Sequence, residues 1–179
     1  LSSIFIPIFD VAQSVPALAL FPFMVQFVIE TSGGQDWAVE LASILLVLTG
    51  MQWYLLFNII GALHAVPTDV VEAARAYGSK GFAYARSILL PAIFPGVVIG
   101  SIQAWGGGWN ASIASEYITY GNKTFTLQGL GSLLDKASLI GDPILVAVSL
   151  ISMTLVIMAL NRLVWRRLLK RTERFRFEY

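Results

Sequence analysis

The chain has no cysteine and one histidine, His64, in 179 residues. Without Cys there is no disulfide frame, no zinc–thiolate site and no thiol nucleophile. One His cannot build a metal cluster. Charge is scarce too. Asp, Glu, Lys and Arg make up 13% of the residues, about half the share in an ordinary soluble domain. So few charges cannot cover the surface of a soluble domain, and so apolar a chain is not intrinsically disordered. A net charge of +1 offers no basic surface for a nucleic acid, and no nucleic-acid partner is expected. No Gly-x-x-x-x-Gly-Lys-Ser/Thr loop occurs, so ATP is not bound by that route. What remains is apolar: 56% hydrophobic residues and a mean hydropathy of +0.72.

The few charges leave long gaps. Val11–Ile29, Leu41–Leu63, Ser87–Ser115 and Pro143–Asn161 carry none. A helix needs about 20 apolar residues to cross a hydrocarbon core of roughly 30 Å. Buried helices of soluble folds usually keep a charged face, and these stretches have none. The expected fold class is therefore all-α, a polytopic transmembrane helix bundle with about four spans, near 14–30, 40–63, 88–105 and 143–161. Pro16 and Pro22 start the first span near Ser14 and kink it. The third gap exceeds one span, and Trp105-Gly-Gly-Gly-Trp109 is expected to end its helix. Gly96 and Gly100 stand four apart, which permits close helix–helix contact.

The basic residues give the orientation. All but Lys123 and Lys136 of the twelve Lys and Arg lie in 64–86 or 162–179. A loop at 64–87 and a basic tail at 162–179 are thus expected in the cytoplasm. The segments 30–40 and 106–142 are expected outside. Trp37, Trp105, Trp109 and Trp165 fall near the expected interfaces, and Ser132–Ile140 suits an outer helix lying on the lipid bilayer. His64 and Glu116 then fall on opposite sides and cannot cooperate. The first residues, Leu1-Ser-Ser-Ile-Phe-Ile-Pro7, carry no basic n-region and no cleavage site. They read as the end of something longer, with at least one earlier span missing.

The loop at 64–87 is ordered by its own signals. Asp69 suits a helix cap, with Glu72 three residues on as in a capping box. Ala73, Ala74 and Ala76 favour helix. Gly78 sits where a C′ glycine belongs, and Ser79 suits the cap of a second helix.

Glu72-Ala73-Ala74, then Gly78, Ile88, Leu90 and Pro91, stand at the spacings of the EAA loop. On these residues the chain resembles permeases of binding-protein-dependent ABC importers. Ser14–Pro22, Leu90–Ser101, Trp109-Asn-Ala-Ser and Ser115-Glu-Tyr-Ile118 are similar to the nitrate, sulfonate and taurine group of that family. The resemblance covers roughly 10–170 and implies a division of labour. The EAA loop would dock as a coupling helix on ABC ATPase subunits. Glu72 would pair with polar groups there, Ala73 and Ala74 would allow close approach, and Gly78 would make the turn. Ile88, Leu90 and Pro91 would tie the loop to a span. A second permease half or subunit and an extracytoplasmic solute-binding protein are the other implied partners, and a small oxyanion is the implied substrate. The chain would not itself be an enzyme.

Polar residues near membrane depth are candidates for a substrate path: Gln52, Asn58, Gln103, Asn110 and Glu116. Each also suits interhelical hydrogen bonding or loop solvation. No catalytic group, metal ligand set or cofactor is expected. A gradient-driven carrier and a non-transporting membrane scaffold stay open beside the permease. The absence of ionisable residues from the spans disfavours a proton-coupled carrier.

Overall fold

The computed structural model describes residues 2–33, 37–120 and 123–175. Helices dominate: α1 (Ser2–Gln13), α2 (Ala17–Ser32), α3 (Trp37–His64), α4 (Thr68–Ala76), α5 (Gly81–Tyr84), α6 (Leu90–Glu116), α7 (Leu130–Ile140), α8 (Pro143–Leu160) and α9 (Arg166–Thr172). Trp37–His64, Gly81–Glu116 and Pro143–Phe175 are each long and apolar enough to cross a membrane. A fourth crossing is counted if the bent pair Phe5–Gln13 and Ala17–Ser32 is one broken span. In the most apolar window of α3 only 6% of the residues are buried. The fold is thus all-α and polytopic. Side chains that a soluble protein would bury, such as Ile144, Ile151 and Leu155, face outward, as lipid permits.

The helix ends differ from the sequence expectation in instructive ways. The helix expected to begin near Ser14 begins at Ala17, and the break before it is sharp. The chain turns by 84° between α1 and α2. Pro16 holds φ −61° and ψ 120° as the N-cap of α2, and a proline pushes the residue before it out of the helical region. Pro22 lies inside α2 without ending it.

The three glycines after Trp105 do not end a helix either. The helix runs through them to Glu116. In water, glycine releases its backbone to solvent. Here Gly108 is buried, which withholds that stretch of backbone from solvent. Gly108 also has a packing role. A Cβ there would stand 2.7 Å from Met51 Sδ.

No loop separates α5 from α6. Gly81–Glu116 is one helix with a π-helical stretch at Ala85–Leu89, where Leu90 N–H donates to Ala85 O. The wider π turn precedes Pro91, whose ring would crowd the carbonyl four residues back in a regular α-helix. A second π stretch, Asn161–Trp165, joins α8 to α9.

The segment 106–142 is not a simple loop. After α6, β1 (Tyr117–Tyr120) pairs antiparallel with β2 (Lys123–Thr126), Ile118 opposite Phe125. A helix is present where one was expected at Ser132–Ile140, and it starts at Leu130.

Contacts divide the chain into two units, 1–53 with 106–155 and 54–105 with 156–179. In the first, Val25 and Val28 of α2 pack with Ala38, Val39 and Ala42 of α3 and with Ile118 of the hairpin. In the second, α6 lies close against α3. A Cβ on Gly96 would come 2.6 Å from Ala62 Cβ, and one on Gly100 would come 3.0 Å from Leu55 Cα. The expected close contact at these glycines is therefore present.

In the second unit the Trp105 and Trp165 rings meet, centroids 6.2 Å apart.

Candidate functional site

Pro67 opens α4 as its N-cap, at φ −59° and ψ 140°. The expected capping box is absent: no side chain caps this end. Asp69 instead lies in the first turn, where its charge meets the positive end of the helix dipole. The other end follows the sequence closely. Tyr77 is the C-cap and Gly78 takes φ +72°. Gly78 N–H donates to Arg75 O at 3.0 Å and Ser79 N–H to Ala74 O at 2.9 Å. These two bonds form a Schellman motif, which needs the left-handed residue that Gly78 supplies. Ser79 is spent in that motif, and Lys80, not Ser79, is the N-cap of α5.

The motif residues divide by exposure. Glu72 and Ala73 face outward, while Ala74 is buried. Only one alanine of the pair is thus open to a partner. Two exposed aromatics flank the turn, Tyr77 at 92% and Phe82 at 79%. Sequence reasoning passed over both, although an aromatic beside a turn glycine was a visible signal. Leu90 is exposed, and Ile88 and Pro91 are half-buried. Ile88 and Pro91 line a cleft of about 260 Å³ with Val70, Ser87, Ala92, Arg174 and Phe175. The last two come from the far end of the chain, and no local pattern predicted them.

The polar candidates separate in the same way. Asn58 Nδ2 donates to Gln103 Oε1 at 2.7 Å and to Tyr54 O at 2.7 Å. This pair bridges α3 and α6 beside Gly100. Replacing Gln103 with leucine leaves Asn58 its Tyr54 carbonyl. The expected cost is about 0.6–1.7 kcal/mol, read as a slightly lowered Tm of the purified permease. Gln52 and Asn110 are exposed, and Asn110 makes only a long bond of 3.4 Å to Gly106 O. Glu116 is half-buried and works as a cap, its Oε2 accepting Ser132 N–H at 2.9 Å. It also lines a cleft with Glu40, Ser43, Ile44, Thr126, Leu127 and Gln128. Among the described residues no group of three or more His, Asp or Glu is placed to hold a metal ion.

Comparison with known proteins gives the family. The chain is 27% identical over 140 residues to a candidate ABC transporter permease protein of Methanocaldococcus jannaschii, covering 73% of this chain and 51% of that one. It is 29% identical over 158 residues to a nitrate import permease protein of Leptolyngbya laminosa, covering 88% and 52%. It is 30% identical over 107 residues to a candidate aliphatic sulfonates transport permease protein of Escherichia coli, covering 60% and 38%. The chain thus spans about half the length, or less, of these curated relatives. The family described as the binding-protein-dependent transport system inner membrane component matches residues 1–170. With helices long and apolar enough to cross a membrane, the chain belongs to this family of multi-pass inner-membrane ABC transporter permeases.

Proposed function

We propose that this chain forms the solute path of an ATP-driven importer and takes its energy through α4 and the turn at Gly78. One observation carries the reading. The turn after α4 leaves the rings of Tyr77 and Phe82 exposed beside Glu72 and Ala73, an apolar pair next to a charged helix face that suits a protein partner. An ATPase subunit is the partner that this face suits. The chain holds no phosphate loop of its own, so ATP hydrolysis belongs to that partner. A second permease half and an extracytoplasmic binding protein complete the assembly. The basic tail and α4 lie in the cytoplasm, in keeping with the clustering of Lys and Arg.

The substrate class we propose is a small oxyanion. Its support is what two relatives are named for, nitrate import in one and aliphatic sulfonate transport in the other. The apolar stretches hold no Lys or Arg to mark a tight anion site. Specificity therefore rests with the binding protein, and the path itself uses neutral polar groups such as Asn58 and Gln103. Nitrate- or sulfonate-stimulated ATPase activity of the reconstituted assembly checks the class.

Variants at the turn test the coupling. In the full-length assembly, Glu72→Lys and Gly78→Val are each expected to lower transport at least about ten-fold, through 1.4 kcal/mol or more of lost docking. Both should also weaken co-purification of the ATPase. Gly78→Asn, which tolerates the left-handed region, should keep most activity. Full transport and full ATPase association in both damaging variants would end the proposal.

A further inference from the structure

The end of the last helix does not hang free. Thr172 of α9 is buried, and its hydroxyl donates to Leu169 O at 2.7 Å. One turn on, the Phe175 ring meets the edge of Phe94, centroids 5.4 Å apart at 72°. Phe175 and Arg174 then form one wall of the cleft whose other walls are Val70 of α4, Ser87 and Ile88 of the π stretch, and Pro91 and Ala92 of α6. Three segments remote in sequence thus converge on the residues that join the coupling loop to its span.

The geometry of the contacts has a direction. From Arg166 onward the basic side chains Arg166, Arg167, Lys170, Arg171 and Arg174 are exposed, while Leu168, Leu169 and Thr172 are half-buried or buried. The helix therefore turns its apolar side toward the protein, and Phe175, itself 40% exposed, ends it with a ring contact to Phe94. An edge-to-face aromatic pair adds to simple area burial. Its position matters more than its strength. Phe94 lies three residues beyond Pro91, just past the π stretch, where a helix is prone to bend.

We infer that the C-terminal end of the last helix is a brace for the coupling loop, with Phe175 as its positioning residue. The brace holds the π stretch and the start of α6 in one arrangement relative to α4. Motion of α4 then passes into α6 and is not absorbed by bending at Ala85–Leu89. This inference rests on the coupling role proposed above and names its regulation. Phe175 touches neither ATP nor solute. Its loss would uncouple hydrolysis from transport without removing either site.

Two measurements on the full-length assembly test it. The first does not depend on the coupling role. The chain has no cysteine, so Ile88→Cys with Phe175→Cys places one thiol on each wall of the cleft. A short bifunctional thiol reagent should join them in membranes, and failure to join them overturns the brace. The second compares solute moved per ATP hydrolysed. Phe175→Ala should lower that ratio about five-fold, the scale of a lost aromatic pair, with ATPase association retained. Phe175→Tyr should restore it. Phe94→Ala should match Phe175→Ala, and the double variant should be no worse than either single one. Equal loss of transport and hydrolysis in Phe175→Ala would reduce the contact to a structural one and overturn the inference. If wild-type α4 proves not to bind the ATPase at all, the functional proposal fails while the thiol result still stands.

Discussion

Gly100→Val should cost the permease about 3 kcal/mol of stability, the upper range of overpacking in a closed interface. The reason lies in what surrounds the missing side chain. A Cβ on Gly100 would meet Asn58 Cβ at 2.9 Å, Leu55 Cα at 3.0 Å and Tyr54 O at 3.1 Å. Two of these three are backbone atoms of α3 and cannot rotate away. Gly96 is as closed: a Cβ there would meet Ala62 Cβ at 2.6 Å and Asn58 O at 2.7 Å. Either substitution forces α3 and α6 apart. That separation also breaks the bond from Asn58 Nδ2 to Gln103 Oε1. Membrane helices gain no hydrophobic stabilisation by meeting, so close van der Waals contact and such bonds hold them. Gly50 and Gly61 of α3 are the controls, because a Cβ at either meets nothing within 4 Å. Gly50→Ala and Gly61→Ala should leave stability unchanged or slightly raised. The check is thermal melting of the purified full-length permease. Each kcal/mol should move Tm by about 2–4 °C. Equal melting of Gly100→Val and Gly61→Ala would show that the close approach does not exist.

These two glycines were legible because spacing alone carries them. Residues four apart lie on one helix face, and small residues there permit contact whatever the partner. The spans were legible for a similar reason, since each is a property of one continuous stretch. So was the Schellman turn at Gly78, which depends on one residue. The failures have a common cause too. Asp69 and Glu72 match a capping box as letters, yet Pro67 already sets the N-cap, and the box never forms. The triple glycine at 106–108 breaks helices in free solvent, but Gly108 is buried against Met51 of α3. The hairpin had a signal that went unused. Tyr117–Tyr120 and Lys123–Thr126 are rich in β-branched and aromatic residues and stand two residues apart, as hairpin strands do. What no local pattern holds is long-range pairing. Phe175 against Phe94, Trp165 against Trp105 and Glu116 against Ser132 join residues separated by other elements. The EAA residues marked the loop for which coupling is proposed, whereas Arg174 and Phe175, which share a cleft with it, carried no such mark.

Glu116 offers the second large effect, because it caps a helix that cannot cap itself. The N-cap of α7 is Gly129, which has no side chain to offer. The buried Ser132 hydroxyl turns back to donate to Leu127 O at 2.6 Å. That leaves the Ser132 N–H, and the Glu116 carboxylate accepts it from the end of α6. A carboxylate at a helix N-terminus also meets the positive end of the dipole. Glu116→Ala should therefore cost about 1–2 kcal/mol, while Glu116→Gln keeps an accepting oxygen and should cost much less. Gly131→Val should do more damage. A Cβ there would meet Ile113 Cα at 2.8 Å and Ile113 N at 2.9 Å, both rigid backbone of α6. About 3 kcal/mol is expected, enough to lift α7 off the end of α6. The effect is local, so the readout is hydrogen exchange across 130–140, which should rise strongly in Gly131→Val and modestly in Glu116→Ala. Gly129→Ala supplies the internal check. Its Cβ would overlap the Glu116 carboxylate itself, a flexible group that can swing away but then loses the Ser132 N–H. Gly129→Ala should thus mimic Glu116→Ala, and combining the two should add little. Full additivity of that pair would mean that Glu116 does not hold α7, and its carboxylate would then be free for the solute path.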